Sequence, residues 1–294
     1  AVYGMVIYYY HQHREHEWQK VLCVVGFVLV AVEAGINTYN TSIGTVSRSG
    51  YLKPIQDYEV LYDYAKENSE GFWRVEKFER RTKNDATLAG YPSASLFSST
   101  MNSSVANFYE TLGMRHSKVF YAFYGATALT SAMLNVEYMF GETEKSMQNE
   151  ASENYDKLYT AVAESGDITL YHCNYTLPFG YVVPLDFQLS DSKGQDPLKV
   201  QNAMIKGLGI KDNLFTRANT IRDDDELILV ADKDAYYYVV NGRGNGKVNF
   251  EGDFGTKSFT DLKYNNVMYV GYLEQGSRIH IENGDEEDDT PSLN

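Results

Sequence analysis

The chain has only 2 Cys and 6 Pro in 294 residues, and 26 basic residues against 40 acidic ones. Two cysteines cannot build a disulfide framework or a cysteine-based zinc site. A formal charge of −14 argues against a general nucleic-acid binder, because neutralising phosphates takes a surplus of Lys and Arg. Disorder is excluded too, since 43% of the residues are hydrophobic and 14% aromatic. No internal repeat is visible, and no glycine-rich loop leads into a helix. Asn241 to Lys247 (NGRGNGK) has the glycines of a phosphate loop, yet a strand pattern follows it. Without a helix N-terminus it has no row of free amides for an anion, and a flexible hairpin is the expectation. The length allows a sizeable core, in more than one domain.

What the chain does have is one long apolar run. Val21 to Ile36 reads VLCVVGFVLVAVEAGI, broken only by Glu33, and the flank from Asn37 to Val46 is uncharged. A bilayer span needs about 17–25 residues, so the run with this flank predicts a transmembrane helix, with Glu33 near its exit. Upstream, Ala1 to Tyr10 resembles the last turns of another hydrophobic helix, and HQHREHEWQK makes a polar loop between them. There is no basic stretch of a secretory signal, so the sequence reads as a piece of a longer polytopic membrane protein. Arg14 and Lys20 precede the run and the next basic residue is Arg48. The positive-inside rule then places residues 37–294 on the extracytoplasmic side.

The rest divides by charge and texture. Asn37–Gly141 holds 10 basic and 10 acidic residues, whereas Glu142 onward holds 14 and 27. In the first part, Pro54 to Asn68 carries Ile55, Tyr58, Leu61, Tyr62 and Ala65 on one helical face. Val105 to Leu112 predicts a helix stopped by Gly113, Phe123 to Met133 another, and Leu134 to Phe140 a strand. Beyond Glu142, strands are expected at Leu214–Thr220, Leu227–Ala231, Ala235–Asn241, Lys247–Phe250, Val267–Leu273 and Arg278–Glu282. The fold class is α+β: a membrane end (1–36), a mixed α/β domain (37–200), a β-sandwich of jelly-roll type (201–284) and an acidic tail (285–294).

Several clusters carry chemical potential and an ordinary alternative. Asp223, Asp224, Asp225 and Glu226 offer oxygen ligands to Mg²⁺ or Ca²⁺, but they directly precede a strand, and an exposed turn is the simpler reading. His11, His13 and His16 could bind a transition metal or be plain loop residues. His116, His172 and His280 are isolated, and neither Cys23 nor Cys173 has a nucleophile's surroundings. The 25 Tyr suit sugar binding and core packing alike. The densest polar segment is Arg74 to Thr100, where Arg74, Lys77, Arg80, Arg81 and Lys83 outnumber Glu76, Glu79 and Asp85. Such an excess can hold a phosphate or pyrophosphate, or simply decorate a strand and turn.

In this segment the sequence resembles the bacterial YfhO family of polytopic membrane proteins. The likeness rests on Arg74-Val75-Glu76, Asn84-Asp85, Gly90-Tyr91, Phe97-Ser98-Ser99 and Leu112-Gly113. It continues through Leu134 to Phe140, Leu170-Tyr171, Leu177-Pro178-Phe179-Gly180 and Gln201-Asn202. The resemblance implies a GT-C type glycosyltransferase that passes a sugar from a polyprenyl-phosphate carrier to an envelope polymer such as teichoic acid. It also places the catalytic carboxylate in an early extracytoplasmic loop outside this stretch, so the catalytic residue here is unknown. With that role, Arg80, Arg81 and Lys83 would face the carrier phosphate, and Asn84, Asp85, Tyr91, Ser98 and Ser99 would shape the sugar or acceptor site. The expected partners are the carrier-linked sugar, an envelope polysaccharide or teichoic acid, and the lipid bilayer of a bacterial cell membrane, with no nucleic acid. No cofactor is predicted, although a divalent cation would suit the departing phosphate. The competing expectation is a non-catalytic, membrane-anchored domain that binds carbohydrate or docks a partner protein. Surface-exposed Tyr in a concave row would favour binding; a basic pocket facing the membrane would favour transfer.

Overall fold

The computed structural model describes residues 2–12, 16–43, 52–78, 80, 82–142, 158–180, 182–187, 194–223, 226–242, 246–253 and 255–284. They form two compact units, Ala1–Pro54 and Ile55–Asn294. In the first, α1 (Val2–Gln12) is followed by α2 (His16–Thr38) and a π-helical turn at Tyr39–Ile43. The continuous helix Glu17–Ser42 has 26 residues and a mean hydropathy of 2.1, and none of its apolar window is buried by protein. Such a surface is stable in hydrocarbon and not in water. The two helices run antiparallel: the Tyr3 hydroxyl donates to the Glu33 carboxylate, and Val6 lies against Gly26. Glu33 thereby has a polar partner beside the span.

The second unit opens with α3 (Ile55–Asn68), which buries Tyr58, Leu61 and Ala65 and half-buries Ile55 and Tyr62, the face that the periodicity predicts. Then come β1 (Arg74–Lys77), α4 (Asp85–Ala89), β2 (Leu96–Phe97) and α5 (Ser103–Thr111). They lead to β3 (Phe120–Tyr121), α6 (Ala128–Met133), β4 (Val136–Glu142), β5 (Tyr159–Ser165) and β6 (Ile168–Cys173). A mixed sheet has the order β1-β4-β6-β5, with β1 parallel to β4 and the other pairs antiparallel. Helices α3 and α4 cover one face through Leu61, Ala65, Ala86 and Ala89, packed on Val75, Phe140 and Leu170. The segment around Phe123, with Phe78, Ala94 and Met139, fills a second cluster.

Two helices start where side chains cap them. The Asn102 side chain accepts from Ser104 N at 2.9 Å, which moves the start of α5 two residues before the predicted Val105. The helix expected from Phe123 begins only at Ala128. Gly125 there has φ +77°, and Thr127 with Thr130 forms a reciprocal capping box that sets the first turn.

Helix α7 (Pro197–Gly207), capped by Asp196, packs Val200 and Met204 against Tyr109 and Leu112. Seven strands follow: β7 (Asn219–Asp223), β8 (Glu226–Val230), β9 (Ala235–Val240), β10 (Gly246–Gly252), β11 (Gly255–Leu262), β12 (Val267–Leu273) and β13 (Arg278–Gly284). A five-stranded antiparallel sheet, β11-β10-β13-β8-β7, faces the β9–β12 pair, with Leu229, Phe250, Phe259, Met268 and Ile279 in one cluster. The class is α+β.

Three strand expectations change. The strand placed at Leu214 begins at Asn219, because Phe215 is held by both side-chain groups of Asn202. Strand β11 was not expected: its buried positions are Lys257, Phe259 and Leu262, so a lysine breaks the apolar alternation. The segment between β9 and β10 is not a hairpin loop. β9 pairs with β12 whereas β10 pairs with β11 and β13, so the chain crosses there from one sheet to the other. Arg243, Gly244 and Asn245, like Asp224, Asp225, His13 and the acidic tail, lie outside the described residues.

The β-layers are joined to the earlier elements by specific bonds. Val267 N donates to Gly113 O at 2.8 Å, and Lys263 Nζ to His116 O at 2.8 Å. Gln201, fully buried, donates to Leu112 O at 3.1 Å and accepts from Thr127 Oγ1 at 2.6 Å. A Cβ on Gly125 would lie 2.4 Å from Val267 O, so only glycine permits this approach.

Candidate sugar-binding groove and the charged strand beside it

Strand β1 carries two buried ion pairs on consecutive residues. Glu76 is 2% exposed, and its Oε1 accepts from Ser93 Oγ, Ala94 N and Ser95 Oγ. Its Oε2 takes both Nε and Nη2 of Arg80 at 3.1 Å. The same guanidinium donates to Phe123 O, and Ser95 Oγ accepts from Phe123 N at 2.8 Å. Glu76 therefore fastens β1 to the 93–95 turn and to the 123 segment. Lys77 pairs with Asp85 at 3.1 Å and lies 4.4 Å from the centre of the Tyr58 ring. Asp85 also accepts from Thr82 N and Thr82 Oγ1, each at 2.8 Å.

These contacts locate the residues that the sequence singled out. The structure gives Arg80 to Glu76 and Asp85 to Lys77, in separate ion pairs. Asn84 holds both backbone groups of Phe97, donating to its O at 3.0 Å and accepting from its N at 2.8 Å. The Lys83 ammonium stands 4.3 Å from the centre of the Phe120 ring. Ser98 Oγ accepts from Thr100 N at 3.2 Å, and Ser99 is exposed. Tyr91 is buried edge-on against Phe140, and burial pushes its hydroxyl well above the usual tyrosine range. Arg81 lies outside the described residues. In the sequence Glu76 stood as one charge of the segment and as part of Arg74-Val75-Glu76, with no site role. Its signal was the pairing of an acidic residue inside a short strand with an arginine four residues on and three small residues, Ser93-Ala94-Ser95, downstream.

Two hollows adjoin this strand. One is interior, with about 50 Å³ of free space between the mixed sheet and the β9–β12 pair, lined by Lys77, Thr127, Ser131, Tyr159, Tyr238 and Tyr269. It has room for a few waters, too little for a sugar. Burial raises the hydroxyl pKa of Tyr159 and of Tyr238.

The other is an open groove of about 220 Å³, walled by Tyr62, Phe72, Trp73 and Pro92, with Lys66, Ser69 and Gly71 completing it. Its rings are edge-packed: Tyr62 and Trp73 have centroids 5.6 Å apart, and Trp73 and Tyr138 5.3 Å. Lys66 stands 4.8 Å from the centre of the Tyr62 ring, and Arg74 4.8 Å from that of Phe72. Ser69 donates to Glu137 and lies 2.7 Å from the Tyr138 hydroxyl. Phe72 is exposed and Tyr62 half-buried, whereas Trp73 belongs to the core; apolar ring surface with hydroxyl and ammonium groups beside it is what a sugar ring requires. The volume is below the ~300 Å³ of drug-sized sites, so it suits one ring. Among the described residues no three His, Cys, Asp or Glu come together as a metal site.

The model of the family described as "Bacterial membrane protein YfhO" matches residues 1–269. The chain belongs to the YfhO family. Neither a curated protein nor a solved structure matches it. The match takes in α1 and α2 and runs on through both sheets as far as β12. This YfhO chain is a membrane protein by family, and Glu17–Ser42 is its candidate span.

Proposed function

We propose that residues from Ile55 onward are the extracytoplasmic, sugar-holding part of a membrane glycosyltransferase, which moves a sugar from a polyprenyl-phosphate carrier to an envelope polymer such as teichoic acid. The observation that carries the sugar-holding part of this reading is the groove of Tyr62, Phe72 and Trp73, with Lys66 and Ser69 at its side, while the transfer step rests on the family resemblance alone. In this reading the groove orients one sugar ring, and the groups that break and form the glycosidic bond belong to the membrane bundle. A purely carbohydrate-gripping domain is the second reading. It is favoured by the internal pairing of Arg80 with Glu76 and of Lys77 with Asp85, which commits both cations within the protein.

The test uses the full chain in lipid nanodiscs, in a Trp18→Phe background so that Trp73 is the reporter. Titration with teichoic acid oligomers is expected to change Trp73 emission. Phe72→Ser and Lys66→Ala are expected to weaken binding about fivefold each, since one aromatic or charged contact contributes ~1 kcal/mol. Binding that is equal in Phe72→Ser and the parent would remove the groove from the proposal. Transfer of labelled sugar from a carrier lipid, assayed with the complete membrane bundle present, separates the two readings.

A further inference from the structure

Between β6 and α7 the chain leaves the body in an apolar strap. Asn174 to Leu185 contains no charged residue, in a chain where 22% of residues are charged. Its large side chains point away from the protein: Tyr175 is 63% exposed, Phe179 67%, Val182 99% and Leu185 108%. Values near 100% mean that none of the described residues covers Val182 or Leu185. In water, four such exposed side chains in so short a stretch are unfavourable. The strap is nevertheless anchored. Leu177 N donates to Ala132 O at 3.3 Å, Phe187 N to Pro184 O at 3.0 Å, and Phe179 packs on Phe72 with ring centroids 4.8 Å apart.

We infer that this strap inserts into the surface of the lipid bilayer, with Val182 and Leu185 in the acyl boundary and Tyr175 and Phe179 at headgroup level. Two observations choose lipid over a protein partner. The chain belongs to a membrane-protein family and carries its own apolar helix, so a bilayer is a permanent neighbour. The four exposed side chains also lie within the short stretch Tyr175–Leu185, whereas a stable protein interface needs ~800 Å² per partner. Tyrosine at the headgroup level and aliphatic residues below it are the distribution that bilayers select.

The inference does not depend on the proposed activity. If both hold, Phe179 against Phe72 sets the groove at the lipid surface, and the ring it receives is the sugar of a lipid-linked donor; that last assignment rests on the proposed function.

The experiment uses the full chain in nanodiscs, with Cys23→Ser so that an introduced cysteine can carry an environment-sensitive fluorophore. Leu185→Cys and Val182→Cys test the strap, and Tyr264→Cys, an exposed position before β12, is the control. Labels at 182 and 185 are expected to emit at shorter wavelength and to be quenched by lipid nitroxides several-fold more than the label at 264. Equal iodide quenching at all three sites would overturn the inference. A blue-shifted label at 185 that lipid nitroxides do not quench would overturn it as well, assigning the strap to a protein partner. In a third variant, Val182→Asp with the label at 185, lipid quenching is expected to fall to the level at 264 while Trp73 emission stays native. Because these readouts contain no sugar, their failure is distinguishable from failure of the groove.

Discussion

Replacing Glu76 with leucine is expected to remove most of the stability of the second unit. The carboxylate is almost fully buried, and five donor atoms converge on it: two nitrogens of Arg80, the backbone N of Ala94 and the hydroxyls of Ser93 and Ser95. Removing one partner of a buried ion pair costs about 3–5 kcal/mol, because the other charge stays behind. The Ala94 N–H, fixed in direction, adds about 1–3 kcal/mol when stranded, whereas the serine hydroxyls can rotate to new acceptors. Allowing for overlap between these terms, the loss is about 4–6 kcal/mol, against a total of about 5–15 kcal/mol for a folded domain. Urea unfolding of the full chain in detergent, followed through Trp73 in the Trp18→Phe background, reads this directly. With a slope of about 2–3 kcal/mol per molar urea, the midpoint falls by about 2 M. Glu76→Gln keeps the shape and one acceptor, so its cost is expected at about half. Arg80→Met in the Glu76→Leu background should restore stability relative to Glu76→Leu alone, because no unpaired charge remains. A midpoint shift under ~0.3 M for Glu76→Leu would show that the strand is held by its apolar contacts and that the carboxylate adds nothing.

Gly71 and Gly125 share φ +77°, but only Gly125 faces Val267 O, so Gly71→Ala is expected to cost ~1 kcal/mol and Gly125→Ala at least ~3 kcal/mol in the same assay. Equal costs would refute the close approach. The hydroxyls of Tyr91, Tyr109, Tyr159 and Tyr238 all have pKa values raised above 10.0, chiefly by burial. They keep their protons in the folded state while the unfolded chain loses them near pH 10, so their stabilising contribution is complete below pH 10 and declines as pH rises beyond it. Tyrosinate absorbance and circular dichroism should therefore show a late group of tyrosines that ionises only with unfolding; a single smooth titration with unchanged dichroism would contradict this.

How much of the fold was legible follows from where local signals were strong. The spacing of Tyr58, Leu61 and Ala65 defined α3, and the continuous apolar Val267–Leu273 run defined β12, because in each case burial and local preference agree. The start of α6 was misjudged because the apolar Phe123–Met133 run outweighed the quieter Thr127/Thr130 capping pair. Strand β11 was invisible because a lysine occupies a core position, where its Nζ donates to Val270 O at 2.9 Å, a partner supplied by another strand. The segment from Arg74 to Thr100 was picked as unusual, yet its order could not be read: its charges allow several local pairings, and the donors of Ser93, Ala94 and Ser95 that hold Glu76 lie well downstream in the sequence. The groove escaped for the same reason. Tyr62, Phe72 and Trp73 look like core residues in sequence; Trp73 is one, and only the packing of α3 beside the start of β1 leaves Phe72 exposed and Tyr62 half-buried.

The bond from Val267 N to Gly113 O has a consequence for the order in which the protein is made. About 150 residues separate the two groups, so at a synthesis rate of roughly 5–20 residues per second the Gly113 carbonyl is exposed for roughly 8–30 s before its partner exists. During that interval Leu112, Met114 and Phe123, all buried in the finished fold, lack the β-layers that end against them. The nascent chain thus passes through a stage at which its first sheet can form while its neighbour has yet to be translated. For a protein held at a membrane from its first helices, that interval is spent at the bilayer.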